Sequence, residues 1–437
     1  MRHTGISFSL LAILFATAAA EAQDRGAIRQ LGPVVAKSTE PVVSVVIRPV
    51  GSGVLVNDIM KRRVIMFDSD LAKFTVVADT TAATANAYPT RMPASLLGFK
   101  GDSSLLLDPS SQSMLVLDPT GKIARVMAFP SSQDAMALGL PGAGYDGRGH
   151  IIYRGAPLPA FRGFRPGAAM APPEFPDSVP ILRIDLASRV RDTLAWMKVQ
   201  KLKFEVNRTE DGHTSITSQI NPLPIVDEMA LLPDGSVAVL RGKDYHVDFI
   251  NADGTRLAAA KIPFDWQRLT DEDKIALIDS VKAARARMGN TAPTVALGGA
   301  GGPQVALGGA GGGGTPQISI QIGGGPGARP DGPAGAAAGA QRQQLSFVPA
   351  SDLPDYKPPF FAGSVRADAE GNIWVRTIPT KSIPGGPVYD VINRKGQLVE
   401  RVQVPVNSTV VGFGQDGTVY LTVREGDNTF LQKARIR

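Results

Sequence analysis

The sequence predicts an all-β fold, a six-bladed β-propeller with one short helical insert and a disordered Gly-rich loop. Three observations predict it. Short runs rich in Val, Ile, Leu and aromatic residues are punctuated by Gly and Asp-Gly turns, which is the pattern of strands joined by hairpins. The unit recurs six times, and Gly371 to Gly417 spans 46 residues, a period suited to one four-stranded blade. A single blade cannot bury both faces alone, so such units stack radially into a ring.

The copies follow in order. The first covers 43–79 (VSVVIRPV, VLVND, RVIMFD, KFTVVAD) and the second 94–130 (SLLGFK, SLLLD, SMLVLD, KIARVMAF). The third begins at 144–154 (GYDGRGHIIYR), is interrupted by a Pro-rich insert near 156–179, and resumes as PILRIDLASRVRDTLAWMKV. The fourth, fifth and sixth cover 226–263, 363–404 and 408–436. The sixth is one strand short. The segment 27–36 (AIRQLGPVVA) is expected to supply the missing strand, so that both ends of the chain close the ring and no edge stays unpaired.

Composition narrows the chemistry. Among 437 residues there is no Cys, which excludes disulfides, thiolate metal sites and a cysteine nucleophile, and only four His are present. With 43% hydrophobic residues the chain can build a large core. The formal charge of +6 is spread among acids with no run beyond Lys61-Arg62-Arg63, so a nucleic-acid face is not expected. Residues 1–22 read as a signal peptide: a basic start (Arg2, His3), an apolar run from Ile6 to Phe15, then Ala20-Glu21-Ala22 with cleavage before Gln23. The mature chain is therefore expected in the periplasm or outside the cell. It should not be lipid-anchored, for want of a Cys, and should have no membrane span, since no other segment approaches eighteen apolar residues.

The domain organisation expected is a signal peptide (1–22) and a single propeller domain (23–437), interrupted by a helical insert (265–288) and the Gly-rich loop (289–340). In the insert, Thr270 is an N-cap with Asp273 three residues on, and acids open the helix while Lys282, Arg285 and Arg287 close it. Its stripe of Ile275, Ile278 and Val281 is expected to cap one face of the ring, or else to cover a ligand site as a lid. The Gly-rich loop holds 18 of the 47 Gly and contains VALGGAGG twice, at 295–302 and 305–312. Such composition buries too little apolar area to offset backbone ordering, although QISIQI (317–322) has the alternation of a strand.

The first copy carries a resemblance. VLVNDIMKRRVIMFD (54–68) resembles the NHL-type repeat of six-bladed propellers: Asp58 falls on the repeat's Asp, Arg63 on its Arg, and Phe67-Asp68 on its closing pair. The second copy keeps Asp108 but has Gln112 and Ser113 where Arg would stand, and the later copies replace the Asp. The resemblance extends over most of the chain as a fold, is motif-specific only in the first copy, and points to secreted bacterial propellers rather than to a particular enzyme.

Aligning the copies on their turn glycines brings one position into register, the end of each second strand. It is Asp58, Asp108, Arg154, Arg241 and Arg376 in the first five copies, with Arg424 slightly displaced in the sixth. In a propeller these converge on one mouth of the channel. They either bind an anionic or polar ligand through planar guanidiniums, or cancel as ion pairs between blades. Asp244, His246 and Asp248 alternate on one strand, as outward polar positions or as part of a metal site. No Gly-x-Ser-x-Gly elbow is present, and Gly51-Ser52-Gly53 is too short for a phosphate loop. Trp196, Trp266 and Trp374 are expected to pack in the core or between blades.

The function expected is a non-catalytic binding module for a small polar or anionic ligand or for a protein, with no cofactor. The alternative is a divalent-metal hydrolase or lyase, lactonase-like, with calcium at the channel mouth. It would draw on Asn57, Asp58 and Asp108, but no channel Glu is identifiable. A third reading is assembly through the Gly-rich loop. Partner identity and oligomeric state do not follow from the sequence.

Overall fold

The computed structural model of the chain describes residues 26–43, 45–81, 88, 94–139, 142–158, 174–208, 214–288, 294–297, 304–308, 317–322 and 346–436. A recurring turn explains why the sequence breaks into short strands. At Asp118, Asp368 and Asn393 the side-chain oxygen accepts the amides two and four residues on, for instance Thr120 N at 2.8 Å and Lys122 N at 3.0 Å. The Gly three residues on (Gly121, Gly371, Gly396) sits at φ between +74° and +85°, where a Cβ is strained. The pattern Asp/Asn-x-x-Gly is thus a hairpin instruction, and it is what the repeat looks like in sequence.

Six antiparallel sheets result. Blade 1 is Val45–Val50, Gly53–Asp58, Arg63–Phe67 and Phe74–Ala78. Blade 2 is Ser95–Gly98, Ser104–Asp108, Ser113–Leu117 and Ile123–Ala128. Blade 3 is Gly144–Tyr145, His150–Arg154, Ser178–Asp185 and Arg191–Lys198. Blade 4 is Glu228–Leu231, Val237–Arg241, His246–Ile250 and Arg256–Ala258. Blade 5 is Phe360–Ala367, Ile373–Thr377, Val388–Ile392 and Leu398–Gln403. Blade 6 is Ser408–Phe413, Thr418–Glu425 and Asn428–Arg435. The first strands touch those of neighbouring blades and so surround the central channel.

Both ends close the ring. Val34–Lys37 pairs antiparallel with Asn428–Arg435 as the missing fourth strand of blade 6. Just before it, Ile28–Gln30 adds a parallel fifth strand to blade 5, where Arg29 bonds Glu400 through both carboxylate oxygens.

The core is six apolar layers, one between each pair of neighbouring blades. Leu105 and Leu107 pack toward blade 3, whereas Leu106 between them packs toward blade 1. Likewise Ile373 and Val375 face blade 4 and Trp374 faces blade 6. Strands buried on both faces therefore read as unbroken apolar runs. The layer between blades 6 and 1 joins Val42, Val54 and Phe67 to Tyr420 and Leu431, so the closing joint is packed as well as hydrogen-bonded. Trp374 is buried and donates its Nε1–H to Asp368 at 3.0 Å, but Trp266 (40% exposed) and Trp196 (59%) are not core residues, contrary to expectation. Trp196 sits on the outer strand of blade 3, where the alternation turns every second residue to solvent.

The helix Asp271–Met288 is capped as its sequence implies: Thr270 N donates to Asp273 and Asp273 N donates back to Thr270 Oγ1. Its apolar stripe does not cap the ring. Ile278 packs instead on Val348 and Leu353 of the returning segment, because Lys274, nearly buried beside it, ties the helix to Asp355 at 2.9 Å. No helix among the described residues is long and apolar enough to cross a membrane. Most of the Gly-rich stretch lies outside the described residues. Within it, Thr294–Leu297, Gln304–Gly308 and Gln317–Ile322 form a sheet with Phe204–Arg208 and Thr214–Ser218, apart from the blades.

Candidate functional site

The two ends of the ring differ. At one end every connection is tight: 51–52, 99–103, 146–149, 232–236, 368–372 and 414–417 inside the blades' first hairpins, with 68–73, 118–122 and 251–255 among their last. At the other end lie the long connections 79–94, 129–143, 155–177, 199–227, 259–359 and 378–387. Second strands end there and first strands begin there, so this is the face with room for recognition on a rigid frame.

The aligned positions all reach this face but do not gather. Asp58 is fully buried: it accepts Val43 N at 3.0 Å and meets Arg63 of the neighbouring strand at 3.4 Å. Burial raises its pKa, opposed by the Val43 amide and Arg63. It holds the entry of blade 1. Asp108 accepts Ser110 N at 2.8 Å and Ser111 Oγ at 2.6 Å, capping its own turn. Arg241 is consumed by Asp227 and Asp248, both at 2.7 Å, and by the Trp196 carbonyl at 2.9 Å. Arg376 reaches Thr409 of blade 6 at 3.4 Å, and Arg424 bonds the Gly426 carbonyl. Arg154 differs from these: its Nε is buried and has no hydrogen-bond partner.

The alternating triplet of blade 4 folds on itself. His246 Nδ1 lies 2.8 Å from Asp244 and Nε2 3.3 Å from Asp248, so both ring nitrogens face carboxylates. Among the described residues no group of three or more His, Asp or Glu is arranged to hold a metal ion. Asn57 donates to the Ala94 carbonyl at 2.7 Å and accepts from Tyr88 at 2.9 Å, which commits its amide to the joint between blades 1 and 2.

The innermost strand of blade 4 does carry a Glu at this end, which the sequence reading missed. Glu228 opens the innermost strand of blade 4 and is 8% exposed. Burial raises its pKa, and three groups oppose this: the Gly363 amide, which it accepts, and the charges of Arg154 and Arg366. The amide comes from an irregularity. In blade 5 the register jumps from Phe360↔Thr377 to Val365↔Val375, so residues 361–364 bulge out of the innermost strand. Gly363 turns this bulge at φ +77°, and Arg366 clasps it through the carbonyls of Gly363 (3.1 Å) and Val365 (2.7 Å). Arg366 and Arg376 both act on buried Tyr389, whose hydroxyl accepts Val410 N at 2.9 Å. The charges of Arg154 and Arg366 thus act on Glu228 from blades 3 and 5, while Arg376 reaches across to blade 6. The available signals were the Asp227-Glu228 pair at a strand start and the out-of-phase run FFAGSVRA.

No protein-family model matches the chain, and no match was found among curated proteins. Several solved structures are similar. The calcium-binding protein regucalcin from Agrobacterium tumefaciens is 11% identical, with 94% of this chain and 98% of that chain covered and a TM-score of 0.35. A Bacteroides vulgatus protein of the duf4221 family is 9% identical, covering 94% and 96%, at 0.41. Virginiamycin B lyase from Staphylococcus aureus is 10% identical, covering 92% and 97%, at 0.33. Likeness of this degree says nothing of ligand or activity.

Proposed function

We propose that the chain is an exported propeller acting as a non-catalytic binding module, taking a small polar ligand at the channel mouth bounded by blades 3, 4 and 5. The observation that carries this is the buried Nε of Arg154, at the end of the second strand of blade 3, which has no hydrogen-bond partner. Buried polar groups are ordinarily paired, and exceptions need a reason. The long connections start and end at this same face. Export fits the closure, since cleavage before Gln23 leaves the strand Ile28–Gln30 close to the new N-terminus.

Native mass spectrometry of protein purified from a bacterial host that exports it tests the reading. The expected result is a bound small molecule, recovered unchanged after incubation and lost in a folded Arg154→Ala variant. A ligand retained by that variant would place the site elsewhere. A ligand consumed, or a stoichiometric calcium ion, would favour the lactonase-like hydrolase or lyase.

A further inference from the structure

Two of the long connections, 199–227 and 259–359, meet outside the blades. Phe204–Arg208 pairs with Thr214–Ser218, and just past this pair the Gln219 amide donates to the Lys203 carbonyl at 2.7 Å. Ile220 carries the ladder onto the returning segment. Its amide donates to the Ser346 carbonyl at 2.9 Å, and its carbonyl accepts the Val348 amide at 3.1 Å. Lys203 adds an ion pair with Asp352 at 2.7 Å. The helix Asp271–Met288 lies against the same segment: Ile278 packs with Val348, and Lys282 Nζ stands 5.7 Å from the centre of the Phe347 ring.

Strand, segment and helix together line a cavity of about 810 Å³, a size that suits a small organic molecule. The helix contributes Ile275, Ile278, Asp279 and Lys282, whose three- and four-residue spacing puts them on one side. Phe347 and Val348 line it from the segment and Glu205 from the strand. Ile275 is apolar yet exposed, so a ligand here would remove apolar area from water. Three of these side chains carry charge. Lys282 Nζ lies 3.3 Å from Asp279 Oδ1, and these two offset each other. Glu205 is exposed and makes no ion pair among the described residues. The charge left over is one carboxylate beside apolar walls, which an anionic head would meet as a like charge and a cationic head as its complement.

We propose that this cavity binds an amphipathic organic cation, with its apolar body on Ile275, Ile278 and Phe347 and its ammonium head paired with Glu205. The site lies in connections rather than in blades, so it is separate from the channel mouth and does not rest on the reading of that mouth.

Calorimetric titration at neutral pH with octylammonium, octanol and octanoate tests this, because the three share one apolar body and differ in the charge of the head. Octylammonium should bind about two- to fivefold more tightly than octanol, the range of a solvent-exposed ion pair, and octanoate more weakly than octanol. Glu205→Lys should reverse the order of the two charged probes. Ile275→Ala should weaken all three by at least about twofold, through lost apolar contact. Both positions are exposed, so both variants should keep the wild-type urea midpoint. Equal affinities for the three probes, or an order unmoved by Glu205→Lys, would overturn the cationic head. Failure of every probe to bind the folded wild-type protein, or binding untouched by Ile275→Ala, would overturn the site. If a variant does not fold, the order of the three probes on the wild-type protein decides. None of these results bears on the channel mouth, whose test is Arg154→Ala.

Discussion

Closure of the ring can be tested at one hydroxyl. Ser38 follows the closing strand, and its amide donates to the Leu431 carbonyl at 2.7 Å. In return the Leu431 amide donates to Ser38 Oγ at 3.0 Å, which passes its own hydrogen to the Glu40 carbonyl at 2.9 Å. Both backbone groups of Leu431 therefore face residue 38, across 393 residues of sequence. Ser38 is 3% exposed, so water does not replace the lost oxygen in Ser38→Ala. The substitution leaves a buried donor unsatisfied and makes almost no cavity, which costs about 1–3 kcal/mol. Urea unfolding should show the midpoint falling by that energy divided by the slope, with the slope unchanged. Hydrogen exchange should show protection at the Leu431 amide falling by roughly 5- to 150-fold, the same energy read locally. The exposed hydroxyl of Ser103, bonded to the Lys100 carbonyl at 2.6 Å, is the control, and its loss should stay within about 0.5 kcal/mol. A Ser38→Ala effect no larger than the control, with Leu431 exchange unchanged, would refute closure by the N-terminal strand.

Three further outcomes follow from side chains elsewhere. Acrylamide should quench Trp196 and Trp266 but not Trp374, and Trp374→Phe should remove the blue-shifted emission at a cost of about 1–3 kcal/mol, since Asp368 loses a buried donor. Gly242→Ala should destabilise by about 1–3 kcal/mol or more in denaturant titration, because its Cβ would lie 2.1 Å from the Val226 carbonyl oxygen. Asp146 is buried, which alone would raise its pKa, but the amides of His150 and Arg148 and the His150 ring outweigh this and lower it. A depressed folded pKa contributes stability above the free carboxylate value near about pH 3.9, and that stability is lost as pH falls through the folded value. Asp146→Asn should therefore cost stability at neutral pH, with the gap from wild type closing below about pH 4 in acid unfolding.

The blades were legible because their turns are written in residue chemistry. Asp118-Pro-Thr-Gly121 and Asn393-Arg-Lys-Gly396 are the same hairpin in two places, and each needs its Gly. The short last copy likewise disclosed the closing strand. The rim was less legible, because alignment on a turn glycine places a residue along a strand but does not say which side it points to. A shift of one residue reverses that side. Arg241 follows Leu240, which faces blade 5, and so turns back to Trp196 of blade 3. Arg154 and Arg376 point the other way, toward blades 4 and 6. Asp58 is claimed by the Val43 amide at the entry of blade 1, and Asp108 by an amide of its own turn.

The site itself is marked by departures from the repeat. A ring of near-equivalent blades would place equivalent residues around the channel. Where Glu228 pairs with Leu240, just before the rim position, blade 1 pairs Val46 with Asn57, blade 2 pairs Ser95 with Leu107 and blade 6 pairs Ser408 with Val423. Blade 4 alone of these puts an acid there. The neighbouring blade 5 is where the innermost strand carries extra residues, and the bulge they form delivers an amide to that acid. A buried carboxyl and a bulge each cost stability, and neither is needed to close a ring that the other blades complete without them. Two such departures in adjacent blades meet at one carboxylate, and the repeat by itself calls for neither.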